Sequence, residues 1–137
     1  MQEFELIRQY FSALSQNTEF VHLGQGDDSA LFAPQADHVC VVSTDTLVSG
    51  VHFLPNLAPE KLAHRALAVN LSDLAAMGAD AKAFTLALTL PAVDESWLAA
   101  FSSGLSQCAQ RFGVSLMGGD TTRGPLSLTL RQFGELF

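Results

Sequence analysis

An alanine- and leucine-rich segment, residues 63–79, constrains the fold of this chain more than any other feature. It contains no proline, and Gly78 stands where a helix would end, so the segment predicts one long helix. Its apolar residues leave little surface for solvent, yet Asn70 and Asp73 lie three positions apart on one side. Since a desolvated carboxylate needs a partner, we interpret Asp73 as facing a cation. The alternatives are a carboxylate on a narrow solvated stripe, or one that caps a neighbouring loop.

The composition indicates one acidic domain of ordinary size. The chain has 137 residues, 48% of them hydrophobic, and a formal net charge of −7. This charge argues against a surface for nucleic acid or anionic membranes. The apolar run 83–93 is too short to span a bilayer, and the acidic N-terminus predicts no signal peptide. Cys40 and Cys108 are isolated, so we expect reduced core thiols in a cytoplasmic protein.

Hydrophobic spacing predicts three helices and four main strands. An amphipathic helix is expected over residues 2–14. The long helix opens at Pro59 or Glu60, and a further helix runs from an Asp94 N-cap to its end at Gly113. Strands are predicted at 38–43, 82–90, 114–117 and 126–131. We expect the last two to pair antiparallel through their short turn. The order predicts an α+β domain, with a mixed sheet of about four strands and helices packed on one face.

Acidic residues recur on turns that are rich in glycine or hydroxyl groups. The four places are Asp27/Asp28, Asp45, Asp73 and Asp120. Asp45 and Asp120 directly follow predicted strands, where open α/β sheets usually bind ligands. Taken singly, such turns are typical of tight connections. Together they favour a metal–phosphate site, and we expect the carboxylates of Asp28, Asp45, Asp73 and Asp120 to cluster at one end of the sheet.

The residue types around these acids favour Mg²⁺ or Mn²⁺ over zinc, because they offer oxygen and few nitrogen or sulfur ligands. Mg²⁺ is usually held by a few carboxylates together with phosphate oxygens, which implies a phosphorylated ligand. Gly118 and Gly119 allow a phosphate to approach the backbone closely. The chain has no Walker A motif. His52 stands in a glycine-flanked loop, and its spacing alone indicates an ordinary surface residue.

Four of these segments resemble the thiamine-monophosphate kinase family, which belongs to the aminoimidazole ribonucleotide synthetase superfamily. They are Gly26–Ala30 (GDDSA), Ser43–Phe53 (STDTLVSGVHF), Ala66–Ala79 (ALAVNLSDLAAMGA) and Gly118–Gly124 (GGDTTRG). The resemblance implies ATP-dependent phosphorylation of thiamine monophosphate to thiamine diphosphate, with several Mg²⁺ ions and a homodimer. Because the acceptor phosphate is largely ionised at neutral pH, we expect direct in-line transfer without a phosphoenzyme and assign no protein base.

The resemblance also implies roles for individual residues. Gly119 and Asp120 match the family's ATP contacts, and His52 matches a substrate contact. The family's metal-binding positions fall on Asp28, Ser43, Thr44, Asp45, Asp73 and Asp120.

The length of the chain sets a further expectation. The family's enzymes are roughly twice as long, with a second domain that completes the site. We therefore expect residues 1–137 to form a single N-terminal ATP- and Mg²⁺-binding domain that is inactive alone. Where the family continues Gly-x-Val-Pro, this chain reads Gly134-Glu135-Leu136-Phe137. The alternatives are another ATP-using member of the superfamily, or a non-catalytic module for dimerisation and metal–nucleotide binding.

Overall fold

The computed structural model describes residues 7–14, 20–23 and 29–137. Two helices pack on a mixed sheet of four strands, and a smaller antiparallel pair of strands forms a second sheet. The strands are β1 Val21–Leu23, β2 Leu31–Phe32, β3 Val39–Val48, β4 Asp80–Leu90, β5 Ser115–Arg123 and β6 Ser127–Leu136. The helices are α1 Pro59–Ala76 and α2 Glu95–Phe112. The predicted α+β architecture is confirmed.

The strand order of the main sheet is β3-β6-β4-β5. β4 and β5 are parallel and are connected through α2, whereas β6 runs antiparallel to both β3 and β4. The prediction that the last two strands pair with each other is therefore wrong, because β4 lies between them. The chain crosses the end of β4 at Gly124, whose N–H donates to the Leu90 carbonyl at 2.9 Å. β6 thus gains a hydrogen-bonded neighbour on each side.

The ends of both helices follow their sequence signals. α1 has Pro59 in its first turn and ends before Gly78, which adopts φ 72°. In α2, the Asp94 side chain accepts a hydrogen bond from the Trp97 N–H at 3.1 Å, and Gly113 ends the helix with φ 68°. Neither helix is long and apolar enough to cross a membrane, and the same holds throughout the described ranges.

Both helices cover the same face of the sheet, and the core lies between these layers. Alternate residues of β4 and β6 point towards leucines and a phenylalanine of the helices: Phe84, Leu86, Leu88, Leu128 and Leu130 meet Leu62, Leu67, Leu98, Phe101 and Leu105. Each of these side chains is at most 5% exposed. Complete burial of one such side chain contributes about 1.5–3 kcal/mol.

The face turned away from the helices is covered only in part. At one end, Phe20 and Val21 pack with Ala83 and Met117. The rest carries hydroxyl groups, with Thr46 bonded to Thr129 at 2.9 Å and Thr89 to Thr122 at 3.1 Å. On β3, Val42 lies on this face and is 52% exposed. We call this surface the open face.

Two predictions made for other parts of the chain need correction. Cys108 is buried, but Cys40 is exposed on the edge strand β3 and is not a core thiol. The helix predicted over 2–14 lies partly outside the described residues. Residues Ile7–Phe11 form a π-helical turn and Ser12–Leu14 a 3₁₀ turn. This segment is anchored by Phe11, whose ring meets that of Phe101 edge-on at 6.4 Å.

A nearly enclosed carboxylate fixes the connection between β2 and β3 to the sheet. The Glu135 side chain is 2% exposed and lies 3.9 Å from the Lys82 ammonium. It accepts hydrogen bonds from the Gln35 backbone N–H at 2.8 Å and from Gln35 Nε2 at 2.6 Å. The Gln35 backbone N–H, the Gln35 side chain and the nearby Lys82 ammonium hold the pKa of Glu135 below its usual range.

We expect Glu135→Gln to lower the thermal midpoint at pH 7 and to weaken its dependence on acid. Because the pKa is lowered on folding, the carboxylate stabilises the fold above its unfolded pKa of about 4.3. This contribution is lost as the pH falls through the folded pKa. Thermal melts between pH 3 and pH 7 should therefore show a gap between wild type and variant that closes on acidification. A gap of constant size, or one shared by the exposed Asp37→Asn variant, would contradict this assignment.

Candidate functional site

Two aspartates lie close together where α1 packs over the edge strand β3. Asp45 lies in β3 and Asp73 in the last turns of α1. The Ser43 hydroxyl, two residues from Asp45 on the same side of the strand, donates to Asp73 Oδ2 at 3.4 Å. Since β3 has a neighbour on only one side, solvent and ligands can reach these groups from its free edge.

The sequence of α1 brings Asp73 to this edge. The side facing the sheet consists of Leu62, Ala63, Ala66, Leu67, Asn70 and Leu74, which repeat at helical spacing and are buried. Asp73 lies beside this stripe and is exposed. The expectation of a carboxylate in apolar surroundings is therefore wrong for Asp73, and Asn70 takes the buried position. Asp73 lies four residues after Val69, on the exposed side of α1.

Asp45 is the more confined member of the pair. Its Oδ2 atom is buried and has no hydrogen-bond partner among the described residues. Burial raises the pKa of Asp45, and the hydrogen bond and negative charge of Asp73 raise it further. Within the described ranges no Lys or Arg pairs with either carboxylate, and the ion pair found there joins Lys82 and Glu135. The pair therefore carries uncompensated negative charge when both groups are ionised.

Thr44 points away from this pair. Its Oγ1 accepts a hydrogen bond from Arg131 Nε at 3.1 Å on the open face. Thr44 could therefore contribute only its main-chain oxygen to a metal ion on the Asp45 side. The nearby guanidinium thus lies across the sheet from the carboxylates and does not neutralise them by direct contact.

The other predicted acidic position lies at the opposite edge of the sheet. Asp120 is exposed within β5 and follows Gly119. A single row of paired residues crosses the sheet from one edge to the other: Asp45, Leu130, Leu86 and Gly119. Three strand spacings of roughly 4.8 Å put the two edges about 14 Å apart. Asp120 pairs with Ala87 of β4. It lies two residues before Thr122, whose hydroxyl is hydrogen-bonded on the open face, so Asp120 is on the same face of the sheet.

The expected cluster of four carboxylates is therefore only partly present. Asp45 and Asp73 meet, but Asp120 lies across the sheet, and Asp28, like Asp27, falls outside the described residues. Among the described residues, no three His, Cys, Asp or Glu side chains group closely enough to hold a metal ion. Asp45 and Asp120 also lie within strands, not on loops after them. The β-branched residues around both aspartates continue the strands beyond their predicted ends.

Gly119 lies closely against the backbone of β4 on one side. A Cβ atom at this position would lie 1.9 Å from the Leu86 carbonyl oxygen. The strand pairing is irregular just before this point, between Phe84 and Thr85. A side chain is therefore excluded at Gly119, and the backbone beside Asp120 is left uncovered. By contrast, a Cβ atom at Gly118 would make only an ordinary contact of 3.9 Å with Thr85.

His52 is held by the turn that follows β3. Its Nδ1 atom accepts a hydrogen bond from the Val48 N–H at 2.9 Å, and its own backbone N–H donates to the Val48 carbonyl at 2.9 Å. Because Nδ1 is an acceptor, the neutral ring carries its proton on Nε2. The side chain is exposed and presents this N–H donor to solvent. Such a donor suits a phosphate or another anionic group.

The groups around Asp45 fit a hard divalent cation. Two adjacent carboxylates and a hydroxyl supply oxygen ligands, and the unpartnered Oδ2 atom of Asp45 is a free acceptor. A cation there would satisfy this oxygen and remove the repulsion between Asp45 and Asp73.

Sequence reasoning missed Gln132, which is completely buried on β6 beside Ser43. Its Nε2 atom donates to the Leu67 carbonyl of α1 at 3.3 Å. The alternation Leu128, Leu130, Gln132 places a polar side chain at an apolar position. That break in the pattern is the signal that could have found it.

A four-stranded mixed sheet backed by two helices, with paired carboxylates between a helix and an edge strand, defines an α+β domain suited to cationic or metal-bound ligands. Residues 26–135 match the family model described as AIR synthase related protein, N-terminal domain, and the chain belongs to that family.

Known relatives agree with the resemblance found in the motifs. The chain is 56% identical to a thiamine-monophosphate kinase of Escherichia coli K12 over 93% of its own length and 39% of the relative. The crystal structure of thiamine-monophosphate kinase from Stenotrophomonas maltophilia K279a matches with a TM-score of 0.85 and 44% identity, over 96% of this chain and 42% of that one. AaThiL complexed with AMPPCP and TMP matches with a TM-score of 0.70 and 27% identity, over 75% of this chain and 34% of that one. The chain thus spans about two fifths of the length of the curated relatives it matches.

Proposed function

We propose that this chain is the N-terminal ATP- and Mg²⁺-binding part of a kinase that converts thiamine monophosphate to thiamine diphosphate. The observation that carries the proposal is the 56% identity to the Escherichia coli thiamine-monophosphate kinase over 93% of the chain. The AaThiL structure contains AMPPCP and TMP, which fits ATP and thiamine monophosphate as the two ligands. Residues 1–137 form one domain in this proposal, and a C-terminal domain completes the site.

The described side chains support particular roles in binding. Asp45 and Asp73, with the Ser43 hydroxyl and the main-chain oxygen of Thr44, would hold Mg²⁺ at the β3 edge. Asp28 and Asp120 are the remaining proposed metal ligands. Gly119 and Asp120 bind ATP at the β5 edge, where the uncovered backbone allows phosphate to approach. His52 donates its Nε2–H to thiamine monophosphate.

No residue is assigned as a catalytic base. The attacking group is a phosphate monoester oxygen whose second pKa is about 6, so it is largely ionised at neutral pH. The difficulty is the repulsion between two polyanions, and bound Mg²⁺ supplies the neutralising charge and alignment for in-line transfer. The acidic residues of this chain contribute by holding that charge. His52 contributes by orienting the acceptor.

The separation of Asp120 from the Asp45–Asp73 pair supports a site that is completed by further groups. We propose a homodimer formed through the open face of the sheet, where Val42 is exposed. The open face is partly apolar, so covering it would remove apolar surface from water and favour association. A cytoplasmic location stays a prediction.

A chimera tests the proposed function. The 137 residues would replace the matching segment of the Escherichia coli kinase, and formation of thiamine diphosphate would be measured with ATP and Mg²⁺. We expect the chimera to be active and the 137-residue chain alone to be dimeric and inactive. A folded, dimeric chimera without phosphotransfer would favour the alternative of a non-catalytic metal–nucleotide module. Turnover of another acceptor would favour a different member of the superfamily.

A further inference from the structure

Two buried amide side chains lie next to the proposed metal site. Asn70 and Gln132 are both completely inaccessible to solvent. Asn70 precedes Asp73 by three residues on α1, and Gln132 is paired with Ser43, whose hydroxyl donates to Asp73. The two amides therefore flank the carboxylate pair from the helix and from the central strand. Neither is among the proposed ligands of Mg²⁺ or ATP.

Their amide nitrogens are bonded, but their oxygens are not. Gln132 Nε2 donates to the Leu67 carbonyl at 3.3 Å, and Asn70 Nδ2 makes a long contact of 3.5 Å with the Ala66 carbonyl. Asn70 Oδ1 and Gln132 Oε1 have no hydrogen-bond partner among the described residues, and the same is true of Asp45 Oδ2. Three buried acceptor oxygens thus occupy one region where α1 meets β3 and β6. Buried acceptors are normally hydrogen-bonded, so these three oxygens need hydrogen-bond donors that the described residues do not supply.

A hydrated cation is a suitable source. Mg²⁺ loses its waters reluctantly and usually keeps several of them when proteins bind it. A water molecule on a cation directs its hydrogens outward and can only donate. The surroundings of such an ion must therefore provide acceptors. An apolar core at this position, as Leu128 and Leu130 form further along β6, would provide none.

We propose that Asn70 and Gln132 are outer-shell acceptors that receive hydrogen bonds from the water shell of a divalent cation held by Asp45 and Asp73. They are positioning residues, since they act on the ion through its waters and through the placement of α1. The inference rests on the metal site of the proposed function. It adds to that function a reason for two polar side chains in an otherwise apolar layer.

The experiment uses the 137-residue chain and Mn²⁺, whose free aquo ion gives an electron paramagnetic resonance signal that disappears on binding. We expect Asn70→Leu and Gln132→Leu to weaken Mn²⁺ binding by about 10- to 100-fold, the usual effect of losing an outer-shell partner. We expect the thermal midpoint in a chelator to stay equal or rise, because each variant removes an unpartnered buried oxygen. Asn70→Asp, which keeps an acceptor, should retain binding. Thr129→Val, on the opposite face of β6, should bind as the wild type does.

The outcomes separate this inference from the function on which it rests. If the wild type binds no Mn²⁺, the metal assignment and the outer shell both fail. If Asp73→Asn abolishes binding but the leucine variants bind as tightly as wild type, only the outer shell fails. If the leucine variants have a lower thermal midpoint in chelator but an unchanged affinity for Mn²⁺, the amides stabilise the fold, and the proposal is overturned. Should a leucine variant not fold, Gln132→Met, which keeps the length of the side chain, decides the question.

Discussion

Asp73→Asn in the active chimera should abolish phosphotransfer while leaving the fold intact. The substitution preserves the shape of the side chain and the acceptor for the Ser43 hydroxyl, but it removes one of the two charges that face each other at the β3 edge. If that charge holds Mg²⁺ against the phosphates, its loss should lower kcat by at least about 10²-fold, as for the removal of other groups that stabilise transition-state charge. Steady-state assays at saturating Mg²⁺ measure the effect.

The same variant should be more stable than the wild type when no divalent cation is present. The pKa of Asp45 is raised in the fold, by burial first and then by Asp73. A raised carboxyl pKa means that stability is lost as the pH rises from the unfolded value of about 3.9 through the folded value. Asp73→Asn removes part of this penalty. Thermal melts in a chelator at pH 7 should therefore show a higher midpoint for the variant, and added Mg²⁺ should stabilise only the wild type.

Asp80→Asn is the matched control for this pair of measurements. Asp80 is an exposed carboxylate at the start of β4, where it pairs with Glu135 and is not part of the Asp45–Asp73 pair. Its substitution should change neither turnover nor the response to Mg²⁺. Comparable turnover by Asp73→Asn and the control would refute a ligand role for Asp73. Destabilisation of Asp73→Asn in the chelator would show that its carboxylate serves the fold.

The elements of this fold were largely predictable because their signals are local. Pro59, Asp94 and the glycines that follow the helices act within one helical turn, so they could be read from neighbouring residues. Strand order is different, since nothing in the short segment before Pro125 tells whether β6 returns beside β5 or crosses β4. β6 crosses β4 because in that position it buries one face and pairs with a strand on each side. Both properties arise only in the assembled sheet, so they could not be predicted from neighbouring residues.

The candidate site was predictable in its residue types but only partly in its geometry. The motif around Asp73 drew attention to the carboxylate that lies beside Asp45, but helical spacing alone did not show which of Asn70 and Asp73 faces the sheet. The answer depends on where α1 passes the edge of β3. Asp120 was selected by resemblance alone, and its distance from Asp45 follows from the two strands between them. Gln132 was missed because a single polar residue in an alternating strand has no motif.

Gly119→Ala should be the most damaging single-methyl change in the described part of the chain. The added Cβ atom would lie 1.9 Å from the Leu86 carbonyl oxygen and 2.8 Å from the carbonyl carbon. Both are backbone atoms of the neighbouring strand, so no side chain can rotate to make room. Either β5 must separate from β4 or the register must shift. Changes that force backbone movement in a packed region cost about 1–3 kcal/mol and occasionally more, and this overlap is severe enough for the upper end.

The adjacent Gly118→Ala is the matched control, because its Cβ atom would meet only the Thr85 methyl group, at 3.9 Å. We expect urea unfolding to show a large loss for Gly119→Ala and a small one for Gly118→Ala. Hydrogen exchange should locate the loss in the amides that join β4 and β5 beside Asp120. In the chimera, Gly119→Ala should also raise the KM for ATP, since the strand that presents Asp120 is displaced. Equal stability of the two alanine variants would mean that β5 does not approach Leu86 as closely as described. The requirement for glycine would then belong to phosphate binding alone.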